Sequence, residues 1–330
     1  MAYKEGSNPA SDPVKVAPGV KMFAEVVGSG KPMLLVHGFG LTHEMWKYQI
    51  PYLKRHGYHV VSIDLRGFGY SKNVPAGYTY KTWAKDLGKA IDKFERDDVT
   101  LVGYSLGGAI AMYYMALHDD PPVERLALVA AAGPYMTWSK EGVFDRLAEI
   151  GLGSVTGLAE AAEAALDLRF VDAVGALFGT GEVLTGETLS AVRDILSHWA
   201  CVGRDPVFFD ALIDLIDLGA SPQLIPRIYG NTVLRAEADY QWIQDMLQSS
   251  SPEALICGLV EMRDQDLQES LEDIAVPTTI IGGWSDVLVP PWLIAEQLMQ
   301  IEDAKDSMLP GGHGLFFEQI HALNRVLAGR

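Results

Sequence analysis

The stretch LVGYSLGGAIAMYYMA, residues 101–116, sets a serine between glycines directly after an apolar run. Gly103 stands two residues before Ser105 and Gly107 two after it, giving G-x-S-x-G. In a chain with 33 glycines such a pentapeptide arises readily by chance, so its surroundings decide its meaning. VTLVGYS (99–105) has the apolar, β-branched character of a buried strand, and LGGAIAMYYMALHD (106–119) reads as a helix. A serine at that junction fits a nucleophile elbow, a strained strand-to-helix turn that lifts the hydroxyl clear of the sheet. Side chains at 103 and 107 would collide with neighbouring backbone there, and Gly108 lets the helix sit close. The competing reading is a turn that holds a phosphate or simply turns. It requires basic residues or a G-x-G-x-x-G run, and neither is present.

The same alternation extends in both directions. PMLLVHG (32–38), YHVVSIDLRG (58–67) and VERLALVAAAG (123–133) read as strands, and TYKTWAKDLGKAIDKFER (79–96) as a helix. GVKMFAEVVGSG (19–30) reads as one strand entering a turn, after a polar amino terminus. THEMWKYQIPYLKRHG (42–57) reads as a helix interrupted by Pro51. From about 135 to 274 the pattern turns almost wholly helical. It then resumes with VPTTIIGG (276–283), a helix over 290–303, a weak strand near 305–309 and a helix over 315–329. Continuous apolar strands separated by helices imply a mostly parallel, doubly wound sheet covered on both faces. The expected organisation is one α/β core, 1–134 plus 275–330, with a large helical cap-like insertion at 135–274.

Composition narrows the function classes. With 48% hydrophobic and 21% charged residues, a sizeable core is within reach. A net charge of −17 without Lys/Arg clusters argues against nucleic acid and against capture by anionic membranes. Cys201 and Cys257 lack zinc or disulfide-framework spacing and read as buried thiols. The amino terminus has no apolar run of signal-peptide length and no segment reaches that of a membrane span, so a cytoplasmic protein is expected.

A serine hydroxyl needs a base, and the base needs an orienting acid. His313 lies in LPGGHGLFFEQ, where glycines free a loop after the last strand to carry an imidazole to the sheet's carboxyl edge. His37 follows a strand and reads as shaping the turn there; His43, His56, His59, His118, His198 and His321 read as surface or packing residues. Asp286, in IIGGWSDVLVPP, follows the penultimate strand and falls on the same edge. Asp64 also ends a strand and is expected to organise the neighbouring turns with Arg66. The order Ser…Asp…His, one after each of three strands, is far more specific than the pentapeptide. Acyl transfer further needs oxyanion donors, for which the Leu106 and Phe39 N–H groups are the candidates. Trp46, Trp83 and Tyr104 are either core or substrate-facing.

Together these segments resemble the α/β-hydrolase family over the whole core: HGFG (37–40) its oxyanion loop, DLRGFGYS (64–71) its D-x-R-G-x-G-x-S turn, GYSLGG (103–108) its elbow, GGWSDVLVP (282–290) its acid loop and GGHG (311–314) its histidine loop. The resemblance implies Ser105 as nucleophile, His313 as base, Asp286 as orienter and the Phe39 and Leu106 amides as oxyanion hole, with no metal or organic cofactor. Ser105 argues against the branches with an aspartate nucleophile, the haloalkane dehalogenases and epoxide hydrolases. The sequence looks most like the cofactor-free haloperoxidase and perhydrolase branch, whose members often carry proline where this chain has Gly40. That departure favours ordinary ester or lactone hydrolysis over perhydrolysis, and the apolar helical insertion points to a small-molecule substrate of moderate hydrophobicity. C–C bond hydrolysis of the meta-cleavage type, or a receptor-like binding protein with little turnover, are the alternatives.

Overall fold

A computed structural model describes residues 11–74, 76–94, 98–118, 120–133, 237–267, 271–286 and 288–330. A short hairpin of β1 (Val14–Ala17) and β2 (Val20–Met22) comes first. Seven strands then form one sheet: β3 (Ala24–Gly28), β4 (Lys31–Val36), β5 (Tyr58–Ile63), β6 (Val99–Tyr104), β7 (Val123–Val129), β8 (Thr278–Gly283) and β9 (Ala304–Leu309). Their spatial order is β3-β5-β4-β6-β7-β8-β9, with β3 antiparallel to β5 and every other pair parallel. One row crosses the whole sheet, in which Val26, Val61, Leu34, Leu101, Leu126, Thr278 and Ala304 lie side by side. All six residues of β6 are buried, as a parallel strand covered on both faces requires.

The helices are α1 (Ile50–Arg55), α2 (Tyr80–Phe94), α3 (Leu106–Ala116), α4 (Glu237–Gln248), α5 (Pro252–Asp264), α6 (Pro291–Gln300), α7 (Leu315–Glu318) and α8 (Ile320–Leu327). In α2 the buried residues Trp83, Ala84, Leu87, Ala90 and Ile91 recur at helical spacing and form one stripe. The interior helix α3 packs on β4 and β6 and is buried on nearly every side. α6 packs on β8 and β9, and α1 on β3 and β5. Among the described residues no helix is long and apolar enough to cross a membrane.

Several local expectations change. The polar amino terminus contains β1, whose Val14 and Val16 are buried, and Phe23 separates the single strand expected over 19–30 into β2 and β3. Pro51 does not interrupt a helix. It sits in the first turn of α1, where its missing N–H costs no hydrogen bond, after a separate 3-10 turn at His43–Tyr48. The helix expected over 315–329 breaks at Gln319, which has φ −120° and ψ 43°. By internal contacts the chain divides into two units, one comprising Met1–Pro134, Pro222–Glu261 and Gln265–Arg330, the other Tyr135–Ser221 with Met262–Asp264. The insertion expected over 135–274 lies outside the described residues up to 236, as do Cys201 and His198.

The carboxyl ends of β4 to β9 face one edge, and α3 leaves that edge at close quarters with β4. A methyl group at Gly107 would lie 2.4 Å from the His37 carbonyl oxygen and 2.6 Å from that of Val36. Both are backbone atoms that cannot swing away. Gly107→Ala is therefore expected to destabilise the protein by about 3 kcal/mol, read as a lowered urea midpoint at unchanged slope.

Candidate active site

Ser105 follows β6 and precedes α3 with φ 51° and ψ −117°, outside the regions that L-residues ordinarily occupy. Its N–H donates to the Val129 carbonyl at 3.0 Å, and its carbonyl accepts from the N–H groups of Gly108, Ala109 and Ala132 at 2.9, 3.2 and 2.9 Å. The turn is thus held from β7's exit as well as from α3. A methyl at Gly103 would lie 2.5 Å from the Gly107 carbonyl oxygen, and one at Gly108 2.4 Å from Ala131 Cβ, which accounts for both glycines.

The serine hydroxyl does not cap its own helix. Instead Ser105 Oγ and His313 Nε2 lie 3.0 Å apart, and His313 Nδ1 and Asp286 Oδ2 2.8 Å apart. A carboxylate only accepts, so Nδ1 carries the ring proton and Nε2 is left to accept the serine hydroxyl. The other Asp286 oxygen accepts the N–H groups of Leu288 and Val289, both at 2.8 Å. Ser105, Asp286 and His313 are all buried. Three loops far apart in sequence thus meet where the carboxyl edge was expected to bring them.

The Tyr104 hydroxyl donates to the His313 carbonyl, which also accepts the Leu315 N–H at 3.0 Å. Tyr104 is fully buried among Trp46, Phe316 and the His313 ring, so it holds the loop of His313. Its place beside the elbow serine was the one signal in the sequence. Leu106 opens α3, so its N–H has no acceptor within the helix. Gly38 approaches Ser105 so closely that a methyl there would lie 3.1 Å from Ser105 Cβ, which brings the Phe39 loop against the elbow. From α5, a methyl at Gly258 would touch both Phe39, at 3.3 Å, and Leu106, at 3.8 Å.

Two histidines bracket that loop. His37 Nδ1 donates to the Gly38 carbonyl at 2.8 Å, while Nε2 accepts the Leu65 N–H at 2.9 Å. Only the neutral ring can do both, and burial lowers its pKa to about 4, with Asp64 opposing. His43 donates through its backbone N–H and through Nδ1 to Asp64 Oδ1, at 2.7 and 2.8 Å. Burial alone would lower the His43 pKa, but the Asp64 hydrogen bond and charge outweigh it and the net shift is upward. Asp64 also accepts the Tyr70 N–H, whereas Arg66 turns to Asp86 with bonds of 2.8 and 3.1 Å. Asp64 and Arg66 thus do not pair with each other but anchor two separate buried pairs in these turns, Asp64 with His43 and Arg66 with Asp86.

The neutrality of His37 has a measurable cost in acid. Its folded pKa lies below the ordinary 6.5, so its contribution is complete above pH 6.5 and disappears as pH falls towards 4. Between pH 7 and 4.5 the wild type should lose about 2–3 kcal/mol more unfolding free energy than His37→Gln. Parallel pH profiles in chemical denaturation would contradict this assignment.

Comparison with known proteins agrees with this geometry. The family model described as the alpha/beta hydrolase fold matches residues 31–319. The chain is 28% identical to the AB hydrolase superfamily protein YisY of Bacillus subtilis, over 96% of this chain and 97% of that one. It is 25% identical to a non-heme haloperoxidase of Rhodococcus erythropolis, over 92% of each. An esterase from Exiguobacterium antarcticum superposes with a TM-score of 0.74 at 24% identity, covering 96% of this chain and 97% of that one. Since the matched span runs from β4 through the loop of His313 to the end of α7, the chain belongs to the alpha/beta hydrolase fold family.

Proposed function

We propose that this chain is a serine hydrolase that cleaves a carboxylic ester or lactone through an acyl-enzyme on Ser105. The observation that carries the reading is the unbroken hydrogen-bond chain Ser105–His313–Asp286 on a strained elbow. Ser105 Oγ attacks the substrate carbonyl while His313 Nε2 takes its proton, and Asp286 stays ionised to steady the imidazolium. The Phe39 and Leu106 N–H groups stabilise the developing oxyanion, a contribution of about 3–4 kcal/mol per donor in comparable sites. Collapse breaks the C–O bond, and His313 returns the proton to the leaving alkoxide. Water, deprotonated by His313, then releases the acid by the same steps in reverse.

The surroundings favour a small, moderately hydrophobic substrate, since Phe39, Leu106 and Val289 are the apolar neighbours of the three reacting groups. Gly40 supports ordinary hydrolysis over perhydrolysis. It stands at φ 64° with a methyl's position only 2.5 Å from Leu247 Cδ1, so the loop takes a course that proline, fixed near −65°, cannot follow.

The test is steady-state hydrolysis of p-nitrophenyl esters of increasing acyl length, wild type beside Ser105→Ala, together with labelling by a fluorophosphonate. Turnover should fall by about 10³-fold or more in the variant, with an optimum at short to medium acyl chains. Equal turnover in both proteins would sink the nucleophile assignment. Labelling of Ser105 without ester turnover would shift the reading to C–C bond hydrolysis or to a binding protein.

A further inference from the structure

Behind the elbow, the segment Ala130–Gly133 leaves β7 in an irregular course. Ala130 has φ 43° and Gly133 φ 132°, two left-handed residues within four. The Ala130 N–H donates to the Ile281 carbonyl at 2.7 Å, and the Ala132 N–H donates to the Ser105 carbonyl at 2.9 Å. Ala130, Ala131 and Ala132 are buried, so their peptide groups need partners from within the protein.

Those partners come from α6. The Gln297 side chain is fully buried and its amide nitrogen donates to the carbonyls of Ala131 at 3.0 Å and Gly133 at 2.7 Å. These two carbonyls flank residue 132, whose N–H holds Ser105. Among the described residues the amide oxygen of Gln297 has no hydrogen-bond partner. Leaving a buried acceptor unpaired is unfavourable, so an apolar side chain of the same length would fill the space at lower cost. What that apolar side chain lacks is the pair of donors. The geometry forgoes one acceptor to fix two carbonyls at the root of the elbow.

We propose that Gln297 is a positioning residue for Ser105: by fixing Ala131 and Gly133 it holds the peptide that keeps the elbow at its strained dihedrals. It touches neither substrate nor the reacting atoms and acts through the 131–133 backbone. The inference rests on the serine-hydrolase reading above. It adds a fifth contributor, from α6, to a site otherwise built from the loops after β4, β6, β8 and β9.

Two variants of the full chain test it, Gln297→Met and Gln297→Glu, with the rate of Ser105 labelling by a fluorophosphonate and kcat and KM on p-nitrophenyl butyrate as readouts. Gln297→Met keeps length and volume but donates nothing. Its labelling rate and kcat should fall about 10–100-fold while KM stays within about twofold, the signature of a displaced reacting group. In Gln297→Glu the introduced carboxyl can donate only when protonated, so the ratio of its labelling rate to that of the wild type should rise as pH falls from 8 to 5. A merely structural role would leave that ratio flat. Wild-type labelling at Ser105, lost in Ser105→Ala, tests the hydrolase reading separately; its absence would overturn both. With the wild type labelled, an undiminished rate in Gln297→Met would overturn the positioning role alone. Should Gln297→Met fail to fold, a flat pH ratio in Gln297→Glu would overturn it equally.

Discussion

A non-glycine residue at φ 51° and ψ −117° persists only where the surrounding structure holds both of its peptide groups, and Ser105 meets that condition from two sides. The strand that delivers it, β6, lies in the middle of the sheet with β4 and β7 as neighbours. The Val129 carbonyl and the Ala132 N–H fasten its main chain to the segment after β7, while α3 supplies the Gly108 and Ala109 N–H groups. Strain of about 1–3 kcal/mol is small against a sheet whose central strand β6 is wholly buried. The glycines at 103, 107 and 108 and the amide of Gln297 all answer this one constraint, because each permits or secures a backbone approach that the turn demands.

The loop that carries Phe39 is secured by a different chemistry. His37 is held neutral by burial and His43 is shifted towards its charged form by Asp64, and both tie the loop to residues 64 and 65 beyond the neighbouring strand β5. Burial pushes both rings towards the neutral form; it prevails at His37, whereas the carboxylate of Asp64 in direct contact overcomes it at His43. Buried bonds of this kind fix donors before a substrate arrives, which is where oxyanion stabilisation draws its advantage over water.

Much of this was legible in the residues themselves. Ser105 and Asp286 follow apolar strands and His313 a weak one, each with glycines close by, so local pattern located them and the parallel topology brought them together. What escaped was pairing across the chain. Nothing near Asp64 says that its partner is His43 rather than Arg66, and nothing near Gln297 in an apolar helix says that its amide reaches Ala131. The Tyr104 hydroxyl reaches a carbonyl more than two hundred residues away. Strand β1 escaped for another reason, since four residues of alternation beside a Pro-Gly turn are too few to separate from a polar tail.

The parallel pairing of β7 with β8 joins residues on either side of the long stretch 130–277. Closing a loop of that length is an entropic cost that grows only with the logarithm of its length, about 0.6 kcal/mol for each doubling. The sheet therefore scarcely registers how many residues intervene, provided that Leu126 still meets Thr278 and Val129 still meets Ile281. The register of the sheet is in this way decoupled from the length of chain between these two strands. Changes of length in the part of that stretch away from Ala130–Gly133, α4 and α5 therefore leave β7 and β8, and with them the turn at Ser105, in register.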